Sequence, residues 1–134
     1  MDWLKKILHP LKYRETIIIN GKPLHIEWTE RAEKSLQKRD QPITIEMEIY
    51  FSCLVKKMIR FHEIQEKINN QAVLHQVSDK INIWFHPVTS MACEIGDAPH
   101  RQPTMDIAIA NLHHYFPKQL SIDFNQGRWE GNFC

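Results

Sequence analysis

The segment Ile43-Thr44-Ile45-Glu46-Met47-Glu48-Ile49-Tyr50-Phe51 alternates strictly between an apolar side chain and Thr, Glu, Glu or Tyr. Successive side chains of a strand point to opposite faces, so this period of two predicts a long strand. Ile43, Ile45, Met47, Ile49 and Phe51 read as its core face. The opposite face carries Glu46 and Glu48, whose Cβ atoms stand about 7 Å apart on an extended backbone.

Downstream, Val55, Ile59 and Phe61 suggest a second strand with Lys56 and Arg60 on its other face. Ser52-Cys53-Leu54 joins the two without Gly or Pro, as a tight loop or a bulge. Residues 64–70 are polar and show no clear period. Val73 to Val77 and Ile81 to His86 read as a further pair of strands around a Ser78-Asp79-Lys80 turn; Asn82, Trp84 and His86 share one face of the second.

Upstream, Thr29 has the chemistry of an N-cap for a helix from Glu30 to about Arg39, with Glu30 and Glu33 at its start and Lys38 and Arg39 at its end. Only Ala32 and Leu36 give it an inward stripe. Before it, the β-branched run Thr16 to Ile19 and the alternating Leu24 to Trp28 flank Asn20-Gly21. Both turn residues of such a hairpin need φ > 0, which Asn and Gly tolerate. Asp2 caps a short expected helix to about His9, with Leu11 extending its apolar stripe.

From Pro87 to Pro103 four Pro and Gly residues mark an expected loop. Thr104 then caps an expected helix ended by Pro117, with Met105, Ala108, Ile109, Leu112, Tyr115 and Phe116 as its apolar stripe. The tail predicts a closing hairpin, Leu120 to Phe124 and Arg128 to Glu130, about a turn at Asn125-Gln126-Gly127. The expected fold is α+β: a mainly antiparallel sheet of six to eight strands with two or three helices on one side, in a single domain over residues 1–134.

Composition narrows the function classes. The chain has 134 residues, 43% hydrophobic and 25% charged, enough to bury a core and unlike a disordered segment. Its net charge is +1, and no basic run or aromatic RNA-binding motif occurs, so no nucleic-acid partner is expected. The Gly-rich loops that cradle nucleotide phosphates are absent. Cys53, Cys93 and Cys134 are odd in number and far apart, which points to reduced thiols in a cytoplasmic protein rather than a disulfide scaffold. No run of about 20 apolar residues suggests a membrane span, so a soluble protein is expected.

Five constellations have chemical potential. Eight histidines and three cysteines contain no local ligand pair of the Cys-x-x-Cys or His-x-x-x-His kind. A transition-metal site would have to be assembled through space, for example from Cys53, His62, His86 and Cys93; otherwise no cofactor is expected. Cys53 precedes Lys56 and Lys57, cations that lower a thiol pKa, and His62 stands nearby as a base; a small packed side chain is the plainer reading. Glu46 and Glu48, with Lys56 and Arg60 opposite, form either an acid/base site or cross-strand pairs on a solvated face. The segment from His86 to Arg101 gathers Thr89, Ser90, Glu94, Asp97 and His100 with Cys93 beside a strand end, a common place for binding residues. The N-terminal helix, with Trp3, Lys5 and Lys6, is short for a membrane contact and more suited to packing on its own sheet.

Part of the order resembles the A-type iron–sulfur carrier proteins. A Thr-capped helix (Thr29 to Gln37) precedes a strand, then Cys53 and another strand. A strand ending in Pro87-Val88-Thr89-Ser90 and the sequence Ile122-Asp123-Phe124 follow. The resemblance implies metal or cluster carriage through cysteine thiolates. This chain lacks the glycines that flank the first cysteine of that family and its terminal Cys-Gly-Cys, where a single Cys134 stands. A long connection, including the helix expected from Thr104, replaces a short one. The missing motifs are those that carry the function, so the function is not transferred. The leading expectation is a non-enzymatic accessory or protein-interaction domain, in partnership with another protein or a second copy. The alternative is a metal- or iron–sulfur-binding protein, or a small enzyme, that uses Cys53 with nearby histidines.

Overall fold

The structure is a computed structural model and describes residues 9–52, 54–65, 68, 70–90, 104–107 and 115–134. The strands are β1 (Leu11–Ile19), β2 (Lys22–Thr29), β3 (Ile43–Phe51), β4 (Val55–His62), β5 (His75–Ser78), β6 (Ile81–Ser90), β7 (Thr104–Asp106), β8 (Gln119–Asn125) and β9 (Arg128–Phe133). One helix, α1 (Glu30–Gln37), occurs among the described residues.

The protein is therefore mostly β, which corrects the α+β expectation with its two or three helices. Two mixed sheets replace the single, mainly antiparallel sheet. The first runs β1-β2-β8-β9 and the second β4-β3-β6-β5, with β7 pairing β6. Each contains a parallel pair, β2 with β8 and β3 with β6, between segments far apart in sequence. Local alternation carries no information on such long-range pairings.

The helix expected from Thr104 begins instead as a strand: Thr104, Met105 and Asp106 pair with Ser90, Thr89 and Val88. The free edge of β6 overrides the helical spacing of the apolar residues there. Ile107, Tyr115 and Phe116 of that expected helix are not helical either; residues 108–114 lie outside the described residues, as do residues 1–8 of the N-terminal one. Leu11, placed on the latter's stripe, opens β1 instead.

Both expected hairpins form. Asn20 and Gly21 have φ of 51° and 78°, and Gln126 and Gly127 have 52° and 79°. These are the positive values that a two-residue hairpin turn of this hand demands. α1 starts where its cap chemistry places it: Thr29 Oγ1 accepts the Ala32 N–H at 3.2 Å. It stops at Gln37, with Lys38 as C-cap.

Buried side chains of both sheets share one core. Leu24, Ile26, Leu120 and Ile122 meet Ile43, Ile45, Met47, Ile49, Ile81 and Ile83, and Ala32 and Leu36 anchor α1 to the same cluster. The layers approach closely at Gly131 on β9. A Cβ there would stand 2.8 Å from Ile59 Cδ1 and 3.1 Å from Phe61 Cζ, both on β4. No helix among the described residues is long and apolar enough to cross a membrane.

β3 is the strand that positions the site. It lies between β4 and β6, and every residue from Ile43 to Tyr50 is buried. The expected solvated face is absent: Glu46 and Glu48 are each only 4% exposed. Carboxylates are almost never buried so completely unless they are paired.

Candidate functional site

The register of three strands brings the polar groups together. In β3 and β4, Glu46 stands opposite Arg60 and Thr44 opposite His62. In β3 and β6, Glu46 stands opposite Trp84 and Glu48 opposite His86. All of these side chains point to the face away from the other sheet. β7 adds Asp106, which stands opposite Val88, two residues along β6 from His86. Neighbours on one face at this spacing lie within reach of long polar side chains.

The contacts form a chain. His62 Nε2 is 2.8 Å from Glu46 Oε1, and His86 Nδ1 is 2.8 Å from Glu46 Oε2. His86 Nε2 is 2.9 Å from Asp106 Oδ1. Arg60 Nη1 donates to Glu48 Oε2 at 2.9 Å and to Glu46 Oε2 at 3.4 Å. The Trp84 ring stacks on His86 with centroids 4.3 Å apart and lies 6.0 Å from His62, which fixes both imidazoles against the sheet.

Burial opposes ionisation of Glu46. Hydrogen bonds from His86 and His62 and the Arg60 charge outweigh it, so its pKa falls below the ordinary glutamate value. Burial likewise opposes the His86 imidazolium. Hydrogen bonds to Glu46 and Asp106, with their charges, win and raise its pKa. His86 thus stands between two carboxylates, with Glu46 on Nδ1 and Asp106 on Nε2.

Glu46, Glu48 and His86 each offer one ligand atom, and these atoms lie within 4.8 Å of one another. No other group of three or more His, Cys, Asp or Glu residues converges this way among the described residues. His86 Nδ1 is 2.8 Å from Glu46 Oε2 and 3.9 Å from Glu48 Oε2. Four ligands about 2.0–2.2 Å from a tetrahedral zinc ion stand about 3.3–3.6 Å apart, so an ion that enters would break the 2.8 Å Glu46–His86 hydrogen bond and draw Glu48 in. Two of the groups have a partner on their far atom, His62 on Glu46 Oε1 and Asp106 on His86 Nε2, while Arg60 bonds the Oε2 atoms of both glutamates. A carboxylate on the second nitrogen of a ligating histidine is the usual device for fixing its tautomer.

The structure brings His62 and His86, both candidates from the sequence, to the same buried carboxylate. Ser90 ends β6 opposite Thr104. Thr89 bonds the Phe51 carbonyl through Oγ1 at 2.8 Å, which ties β6 to β3. Cys53, Cys93, Glu94, Asp97, His100 and Arg101 lie outside the described residues. Cys134 is exposed and forms no disulfide. β6 continues through Pro87, where a loop was expected. The Pro87 carbonyl accepts the Ile107 N–H, so its nitrogen faces the gap between β5 and β7, where the ladder needs no donor.

Asp106 was hidden from sequence reasoning, because the apolar spacing around it reads as helix. The joining of Glu46 and Glu48 with two histidines was hidden too, because it depends on the parallel β3–β6 register. A signal did exist: three segments each put ionisable groups on one alternating face. A small cavity of about 110 Å³ adjoins the site, lined by Gln71 to Val73, Trp84 to Pro87, Asp106 and Ile107.

No family model, curated protein or solved structure matches the chain. The functional argument therefore rests on the fold and on this site.

Proposed function

We propose that the protein binds a divalent transition-metal ion through Glu46, Glu48 and His86. The observation that carries this reading is the convergence of two buried carboxylates and one imidazole, with ligand atoms within 4.8 Å of one another. Burying this many charges is costly, and an apolar cluster of the same volume would usually stabilise the fold as well or better. The presence of these charges at that cost supports a role in binding. An oxygen, oxygen, nitrogen donor set suits Zn²⁺, Fe²⁺ or Mn²⁺ better than a soft thiophilic ion. Widely spaced cysteines support a cytoplasmic setting for this chemistry.

Elemental analysis of protein purified without chelators tests the reading. One metal ion per chain, falling to background in Glu46→Gln, is expected. Metal that remains stoichiometric in Glu46→Gln, or that is absent from native protein even after reconstitution, would overturn it.

A second reading, a protein-interaction domain, is supported by the outer edge of β4. That strand pairs only with β3 among the described residues, and Leu54, Val55 and Met58 are exposed beside its free edge. An unchanged oligomeric state and unchanged partner capture in Val55→Lys would count against it.

A further inference from the structure

We infer that Arg60 is a built-in competitor of the metal ion: its guanidinium holds the place of a cation between Glu46 and Glu48, and a divalent ion binds by displacing it toward solvent. This inference rests on the metal reading above and concerns how that site admits its ion.

Glu46 Oε2 and Glu48 Oε2 are the carboxylate oxygens that approach His86 Nδ1, at 2.8 and 3.9 Å. Arg60 Nη1 contacts the same two oxygens, 3.4 Å from Glu46 and 2.9 Å from Glu48. One guanidinium nitrogen therefore bridges the two carboxylates, as an ion between them would. Both glutamates are only 4% exposed, so a cation must offset their mutual repulsion, and Arg60 supplies one.

Ion and guanidinium compete for this place. An ion about 2.2 Å from Glu48 Oε2 would stand no more than about 5 Å from Nη1 at its present position. Like charges at that range repel strongly where solvent does not screen them. A monovalent ion brings no more charge than the guanidinium and none of its directed hydrogen bonds. A divalent ion brings twice the charge, so the exchange favours a dication.

The arginine has a route outward. Its side chain is 36% exposed, against 5% for either glutamate. It stands on β4, which pairs only with β3 among the described residues, and Nη2 lies 3.6 Å from the sulfur of Met58, itself 43% exposed. Arg60 can turn its charged head into water about a flexible stem while the carboxylates stay on the sheet.

The test measures Co²⁺ affinity of the full chain by competition with a chromophoric chelator in native protein, Arg60→Gln and Arg60→Lys, at one ionic strength set with potassium chloride. Removing the competitor should tighten Co²⁺ binding about tenfold or more in Arg60→Gln, with Arg60→Lys between, because its ammonium keeps the charge but not the planar fork. In the native chain the Arg60 guanidinium ¹⁵N signals, assigned by their loss in Arg60→Lys, should move to the position of a freely rotating, solvated arginine on saturation with Zn²⁺. Equal or weaker Co²⁺ binding in Arg60→Gln would overturn the competitor role and leave the metal reading intact. So would Arg60 signals that bound Zn²⁺ leaves unmoved. If Arg60→Gln fails to fold, Co²⁺ binding in Arg60→Lys no tighter than in native protein overturns the inference. Binding by Arg60→Gln but not by native protein would keep the competitor role and overturn the metal reading of the native chain; binding by neither overturns both.

Discussion

Asp106 and His86 are joined at 2.9 Å between Oδ1 and Nε2, across two strands that pair at only three positions. Asp106 is the exposed member, with 70% of its side chain accessible, and His86 the sheltered one. The contact therefore orients His86 more than it stabilises the sheet, since exposed ion pairs contribute about 0–1 kcal/mol.

Asp106→Asn is accordingly expected to lower metal affinity about 10- to 100-fold with little change in thermal stability. A competition titration against a chromophoric chelator, beside a melting curve, separates the two effects. A large fall in melting temperature at unchanged affinity would assign Asp106 a structural role instead.

Glu46 is the hub of the network, bonded to His62, His86 and Arg60. Glu46→Ala removes the acceptor from three donors at once and should cost about 3 kcal/mol in urea unfolding. Glu46→Gln keeps the volume and part of the bonding, so a smaller loss is expected. Equal stability of all three proteins would contradict the network described.

Gly131 tests the packing of the two sheets. An added methyl meets Ile59 and Phe61 on β4 and the Ser121 carbonyl on β8. Gly131→Ala should cost about 1–3 kcal/mol, the usual range for overpacking. Ile59→Val in the same chain should recover part of that loss. A fully additive double variant would show that Ile59 is not the obstacle.

Acid stability depends on Asp123. Hydrogen bonds from Arg31 at 2.6 and 2.8 Å, with further ones from Thr29 and the Phe124 N–H, outweigh burial and hold its pKa well below the ordinary carboxylate range. A depressed folded-state pKa stabilises the fold above the unfolded-state value, about 3.9, and that contribution is lost as pH falls below it. The stability gap between native protein and Asp123→Asn should therefore be constant from about pH 5 to 8 and shrink below about pH 4. A gap that grew on acidification would reverse the sign of the account.

Local signals identify local elements well. Asn20-Gly21, Thr29 and the alternation in β3 each act through neighbours in sequence, and the hairpin, the helix start and the central strand form where they place them. The two sheets depend on pairing β2 with β8 and β3 with β6, which no local pattern encodes. The second buried face of β3 depends on the same pairing, because the side chains that cover Glu46 and Glu48 come from β4 and β6. Half of the site was legible on the same grounds. Glu46, Glu48, Arg60, His62 and His86 each lie on a readable strand face, but their meeting requires the parallel register. Asp106 sits in three residues whose pairing to β6 overrides a helical pattern.

X-ray absorption at the zinc edge of the Zn²⁺-loaded chain tests the metal assignment most directly, because it distinguishes carboxylate and imidazole ligands from thiolates. One Zn²⁺ per chain, with oxygen and nitrogen neighbours at about 2.0–2.2 Å and an imidazole signature lost in His86→Ala, is expected. A sulfur shell at about 2.3 Å would assign the metal to the cysteines and contradict the site of Glu46, Glu48 and His86.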